Sequence, residues 1–442
     1  MSVYSNQYAL KLGEHGDNGG LEANFKTPVR DPLLHTEYVS SVNQERFSTI
    51  GKLESGVSLL QTAQQQVEKI RSWLREIHQF LDGQGGKTSP LNIPKSVINK
   101  YLEDRLNLVK EAVDTASFQN RTILNGDCGV MAKATGQNLR FVRGSARVIS
   151  SQNVGYPVAV FQAPKSSMLV GTNQVTAEDI QKETLIAISD GMQEARYYPR
   201  KDETPESLIV NLRRSLVNHN VEVDVFRTKD NRLFFKHNQL GSKYSFKVLS
   251  SNSCLVSSKP GQYRPSIPGI DIAGTIGAES AHGDGGFLIG DVGNKQTDGL
   301  IVYYDGTVDF PGQVVGHIET IQQGLTIPLD TAESKFEILS IPSIHPEVLA
   351  IGVTYRSGFK DLNSIRVSNE YEWRDALKMV LWSLVYLEYL SKELKAKEDD
   401  YVDRTISLLQ GNTGSIPANN ETLCFSQEKV NDMVSQLKEM LK

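Results

Sequence analysis

Between residues 53 and 81 the apolar side chains Leu53, Val57, Leu60, Ala63, Val67, Ile70, Leu74, Ile77 and Leu81 follow one another at steps of four and three. A helix with this spacing keeps one face against a neighbour, because a 3.5-residue repeat follows the surface it packs on. Toward the other end of the chain, Val380, Leu387, Leu394, Tyr401 and Leu408 are spaced by seven. Two such seams flanking a strand-rich middle predict that the chain ends fold together. The expected fold class is α+β, with a long α-helical coiled-coil-like rod from both chain ends and small β-rich domains inserted in it.

A chain of 442 residues has room for two to four domains with their own cores. Its 47 basic and 52 acidic residues are spread along the sequence without a basic run, so nucleic-acid binding is not expected. Membrane insertion is not expected either, since no stretch approaches the roughly 20 apolar residues that cross a bilayer. Residues 1–31 are polar and lack a basic-then-apolar secretory signal. Cys128, Cys254 and Cys424 lie far apart and without metal-ligand spacing. They read as small hydrophobes, not as a disulfide framework or zinc site.

The organisation reads as five parts. Residues 1–31 form a disordered tail, and 32–128 an N-terminal helical segment whose first helix stops at Asp82-Gly83-Gln84-Gly85-Gly86. A second helix carries Ile98, Leu102, Leu106, Val109, Val113 and Ala116 on one face. After Asn125-Gly126-Asp127 the period changes, and 129–260 is an inserted α+β module. It holds an amphipathic helix at 205–218, opened by Pro205, and a hairpin turning at Thr228-Lys229-Asp230-Asn231, to which Tyr244, Phe246 and Val248 add a third strand. Residues 261–345 form a second β-rich insertion. Residues 346–442 return to helix, with a long element at 368–409 stopped by Gly411-Asn412 and a short one at 426–441.

No reactive constellation emerges. Gly83 to Thr88 contains Gly-Lys-Thr, but Leu81 stands where a phosphate loop needs its first glycine, and a helix precedes it where a strand belongs. The eight histidines form no HExxH pair, and His282 beside Gly283-Asp284-Gly285-Gly286 has too few oxygen ligands for calcium. Glu393 to Asp400 reads as a solvated helix face, with contact to a basic partner as the alternative. The chain is therefore not expected to be an enzyme, and no catalytic residue, metal ligand or cofactor is assigned. The candidate interaction residues are the seam side chains Leu60, Val67, Ile70, Leu74 and Ile77, together with the stripe Trp382, Tyr386 and Tyr389. That stripe serves either core packing against 53–81 or an intermolecular contact.

Ser55-Gly56-Val57-Ser58-Leu59-Leu60-Gln61-Thr62-Ala63, followed by Val67-Glu68-Lys69-Ile70 and Leu74-Arg75-Glu76-Ile77, closely resembles the N-terminal core segment of bacterial flagellins. Phe118-Gln119-Asn120-Arg121-Thr122-Ile123-Leu124-Asn125-Gly126 is similar to the passage where the second flagellin helix gives way to a β-hairpin. Residues 205–248 look like the small repeated module of flagellins and hook-associated proteins. Asp271 to Gly277, with Thr297 to Val302, is similar to a segment found in filament-cap proteins and some flagellins. The likeness is to a divergent member of the family, because Gly13, Gly16, Gly19 and Gly20 leave no apolar terminal helix to line a channel.

What the resemblance implies is a structural component of the bacterial flagellum, a flagellin-like axial or accessory filament protein that serves motility and assembles through helix packing. A filament-cap or hook-filament junction protein, and a non-filament binding module that mimics flagellin, are the alternatives. Implied partners are other flagellar filament proteins or further copies of the chain, and an export chaperone. The implied location is the flagellum, extracellular or beneath a sheath, reached by export without a cleaved signal peptide; the cytoplasm is the alternative. The resemblance gives the seam residues a packing role and makes Phe118 and Asn120 the helix-to-hairpin corner.

Overall fold

A computed structural model describes residues 32–83, 93–330, 334–353 and 356–409, with side chains from residue 45 onward. The expected tail at 1–31, most of the glycine-rich stop after Asp82, the Gly411-Asn412 stop and the terminal helix at 426–441 lie outside the described residues. The chain divides into the units Met1–Glu45 and Arg46–Lys442, and the architecture below is that of the second.

Five α-helices are described: α1 (Pro32–Asp82), α2 (Lys95–Thr115), α3 (Ala177–Lys182), α4 (Pro205–Asn218) and α5 (Glu370–Leu409). Between α2 and α5 the chain is dominated by strands. The largest sheet has eight, in the order Val130–Thr135, Gln313–Gln322, Tyr156–Gln162, Ala273–Ile276, Glu279–Asp284, Phe287–Gly290, Ile301–Tyr304 and Leu139–Arg143, every pair antiparallel. Its first and last strands come together, so the sheet nearly closes into a barrel. Alternation along the strands turns Val158, Val160, Ile276, Leu288, Val302 and Ile318 into one interior.

A second core belongs to residues 168–267. Three strands, Met168–Gln174, Arg232–His237 and Val223–Arg227, form one sheet, and Arg264–Pro265, Lys247–Ser250, Ile186–Ser189 and Glu194–Tyr197 form another. Helix α4 buries Leu208, Leu212 and Leu216 against them. Its start follows from local chemistry. The Thr204 hydroxyl accepts from the Ser207 amide at 3.2 Å, and Pro205 occupies the first turn, where no amide is needed. The hairpin around Asp230-Asn231 is present, but its third strand is Met168–Gln174, and Lys247–Ser250 pairs instead with Ile186–Ser189.

The expectation of a coiled-coil-like rod carrying small β-rich insertions is corrected. Nineteen strands in five sheets make the described body β-rich, against five helices of which two are short. Helices α1, α2 and α5 do share a core. However, that core also takes in Ile123, Leu124, Cys128, Ile327, Leu339 and Ile341, from hairpins and loops. A heptad pattern specifies that a helix face is covered. It does not specify that only helices cover it.

Candidate functional site

The residues singled out for interaction lie where α1, α2 and α5 meet. Leu60, Val67, Ile70, Leu74 and Ile77 are all fully buried in the common core, joined there by Ile98, Leu102 and Val109 of α2. Each such side chain contributes about 1.5–3 kcal/mol of transfer free energy before entropy is counted. Helices α1 and α5 run antiparallel, as their polar cross-links show. Gln61 and Gln64 donate to the two oxygens of Glu398 at 2.8 and 3.0 Å, the Ser391 hydroxyl donates to Glu68 at 3.3 Å, and Arg71 meets Glu388 at 3.3 Å. At the far end the Trp373 indole N–H donates to the Leu81 carbonyl at 2.6 Å. This satisfies one of the carbonyls that the end of α1 leaves without a helical partner.

Two of these features contradict or escape the sequence reading. Glu398 lies in the stretch read as a solvated face, yet it is only 6% exposed. Burial opposes its ionisation, but the hydrogen bonds from Gln61, Gln64 and Lys395 outweigh that and hold its carboxyl below the usual range. The seam also contains a socket. The Tyr401 ring, fully buried, lies against Gly56 so closely that a β-carbon there would sit 2.9 Å from Cε2. The two residues are visible in the sequence, but only the fold brings them together.

The aromatic stripe is divided between two neighbours. Tyr389 and Trp382 are half-buried against the helical core, and Tyr386 is buried. The rings of Trp382 and Tyr386 stack 5.5 Å apart, 6° from parallel. The Arg143 guanidinium lies 6.0 Å from the Tyr386 ring centre, and burial pushes the phenol's pKa up against the opposing effect of Arg143. Val142, Arg143, Phe287 and Ser343 line a small cleft with Trp382 and Tyr386. Trp382 and Tyr386 therefore tie α5 to the eight-stranded sheet, while Tyr389 packs on the helical core. What α5 leaves exposed is a different stripe, Val402, Ile406 and Leu409, at 37, 46 and 59%.

The corner after α2 is built from residues 117–128. Strands Ser117–Phe118 and Arg121–Thr122 pair across Gln119 and Asn120, whose φ angles are 50° and 64°. Two successive left-handed residues make a type I′ turn, the turn whose twist suits a two-residue hairpin. Asparagine tolerates this conformation better than most side chains do, and glutamine has no such advantage. Arg121 donates to the carbonyls of Asp127 and Gln323, binding the corner to the end of the long strand Gln313–Gln322. Phe118 packs on the helical core.

The His282 Nδ1–H donates to the Asp291 carboxylate at 2.7 Å, and Asp284 pairs with Lys243 at 3.0 Å. Among the described residues no group of three or more His, Cys, Asp or Glu side chains is placed to hold a metal ion. None of the described helices is long and apolar enough to cross a membrane.

No protein-family model matches the chain, and no curated protein matches it. Among solved structures, FliC from Burkholderia pseudomallei is similar at 13% identity, covering 79% of this chain and 99% of that one with a TM-score of 0.28. The flagellar junction protein FlgL from Legionella pneumophila is similar at 10% identity over 86% of this chain and 98% of its own, with a TM-score of 0.29. FliD from Pseudomonas aeruginosa is 13% identical over 44% of this chain and 85% of its own, with a TM-score of 0.28. Scores of this size do not establish a shared fold.

Proposed function

We propose that the chain is a non-enzymatic structural component of the bacterial flagellum, a flagellin-like axial or accessory protein. The observation that carries this reading is the corner Phe118–Gly126. The segment that resembles the flagellin helix-to-hairpin passage is the segment where α2 ends and a two-residue hairpin turns back on the helical core. The segment Ser55–Ala63 adds support, since it lies in α1 with Leu59, Leu60 and Ala63 buried in that core.

Seam residues consumed by the chain's own core are not available to a neighbouring copy. Contacts between subunits then fall on exposed apolar positions, among them the α5 stripe Val402, Ile406 and Leu409. The test is to shear flagella from the cells that make this protein and to look for the chain by mass spectrometry. The expected result is enrichment in the filament fraction. Complexes of about five copies with no incorporation along the filament favour a cap or junction role, and confinement to the soluble cytoplasmic fraction refutes the reading.

A further inference from the structure

Residues 168–267 keep their apolar core to themselves. Leu169, Leu208, Leu212, Val225, Phe235 and Val248 belong to a cluster that shares no member with the helical core or with the interior of the eight-stranded sheet. The module leaves and rejoins the chain by two antiparallel connections, bridged at Lys165–Ile270 and at Met168–Ile267. Its cross-links to α5 and to the segment ahead of α5 are polar. Lys378 Nζ meets Glu222 Oε1 at 3.0 Å, and Arg374 Nη1 donates to Asn220 Oδ1 at 2.7 Å. Arg356 Nη2 donates to the Val223 carbonyl at 2.8 Å, and Gln239 Nε2 to that of Val353 at 2.6 Å. On the sheet side Lys243 Nζ meets Asp284 Oδ2 at 3.0 Å, the Ser242 amide and hydroxyl donate to the Asp271 carboxylate, and the Gly241 amide donates to the Lys165 carbonyl at 3.1 Å, so this side of the joint is polar as well.

We infer that residues 168–267 form a hinged module, held on α5, on the segment ahead of it and on the large sheet by this polar joint, and able to swing away on the paired connections while both cores stay folded. Polar contacts at a joint exchange readily for contacts with water, whereas separate apolar cores keep each side intact when the joint opens. The Lys378–Glu222 pair has 27 and 29% of its side chains exposed, so salt reaches it. The inference stands on this geometry and is independent of a flagellar role.

The test uses the full-length chain. Lys378→Glu places two carboxylates together at the joint, and Lys378→Glu with Glu222→Lys restores the attraction with the signs exchanged. Small-angle scattering is expected to show a larger radius of gyration for Lys378→Glu, and for the unaltered chain near 1 M salt, where the screening length is about 3 Å. The double variant returns to the original profile. Amide exchange within α4 and within residues 60–77 stays within about twofold throughout, as intact cores require. An unchanged profile in both Lys378→Glu and high salt overturns the inference, and so does an expansion in which α4 loses its protection.

Discussion

The hydrogen bond from Trp373 to Leu81 offers a direct measure of how strongly the two ends of the folded chain support each other. Trp373 sits in the first turn of α5 and is 3% exposed, and its indole N–H reaches a carbonyl at the last turn of α1 at 2.6 Å. Trp373→Phe keeps most of the ring in place but removes the donor, leaving the Leu81 carbonyl buried and unpaired. Such a loss costs about 1–3 kcal/mol. Trp373→Ala adds an unfilled volume, and large-to-small changes of that kind cost about 3–5 kcal/mol. The chain has several cores, so a single unfolding free energy is a poor readout. Amide exchange resolved along residues 70–82 and 373–390 reads the local value. The phenylalanine variant is expected to speed exchange in both segments by roughly 5- to 150-fold, from 1–3 kcal/mol at 1.4 kcal/mol per decade. The alanine variant is expected to go further. A phenylalanine variant indistinguishable from the original chain, or a change confined to α5, refutes the proposed link.

Two further perturbations test other parts of the structure. Gly56→Ala places a β-carbon 2.9 Å from the buried Tyr401 ring; overpacking costs about 1–3 kcal/mol, offset by about 0.5–1 kcal/mol from alanine's better helix propensity. The net effect by denaturant titration of the helical core is destabilising, and it changes sign in a Tyr401→Leu background; destabilisation of equal size in both backgrounds excludes the socket. His237 is buried and stacked 5.2 Å from Tyr244, and burial pushes its pKa down to about 4, against the pull of Glu222 and Asp190. The unfolded chain binds that proton near pH 6.5, so this contribution to module stability is complete above pH 6.5 and is lost as pH falls toward 4. It amounts to about 3 kcal/mol, and His237→Gln is expected to flatten the slope of melting temperature against pH over that window. An unaltered slope rejects the assignment.

The elements that could be read from the sequence are those whose signals are local. Helix α4 spans Pro205–Asn218 as its proline start and its apolar face at Leu208, Ile209, Leu212 and Leu216 predict. Helix α5 runs Glu370–Leu409, within two residues of the expected start, and its seven-residue spacing persists over five positions, Val380 to Leu408. The hairpin across Asp230-Asn231 is equally local. Strand partners are different, since a strand's own sequence says which face is apolar and nothing about which strand lies beside it. Val130–Thr135 pairs with Gln313–Gln322, nearly two hundred positions away, and no turn signal connects them.

The same limit explains both the corrected fold class and the divided aromatic stripe. Positions spaced by seven on α5, Val380, Leu387, Leu394 and Tyr401, are fully buried. Yet the surface that covers them includes Ile327 and Leu339 from a two-stranded hairpin, which a helix-only reading has no place for. Trp382 and Tyr386 follow helical spacing just as well, and their neighbours include Val142, Arg143 and Phe287 of the large sheet. Periodicity counts the sides of a helix that must be covered. Here α5 has two such sides with chemically different cover, an apolar one facing α1 and one carrying Arg143 against the Tyr386 ring. Tyr386 belongs to both, buried in the helical core while the Arg143 guanidinium faces its ring, so a substitution there is expected to act on both sides together and not additively.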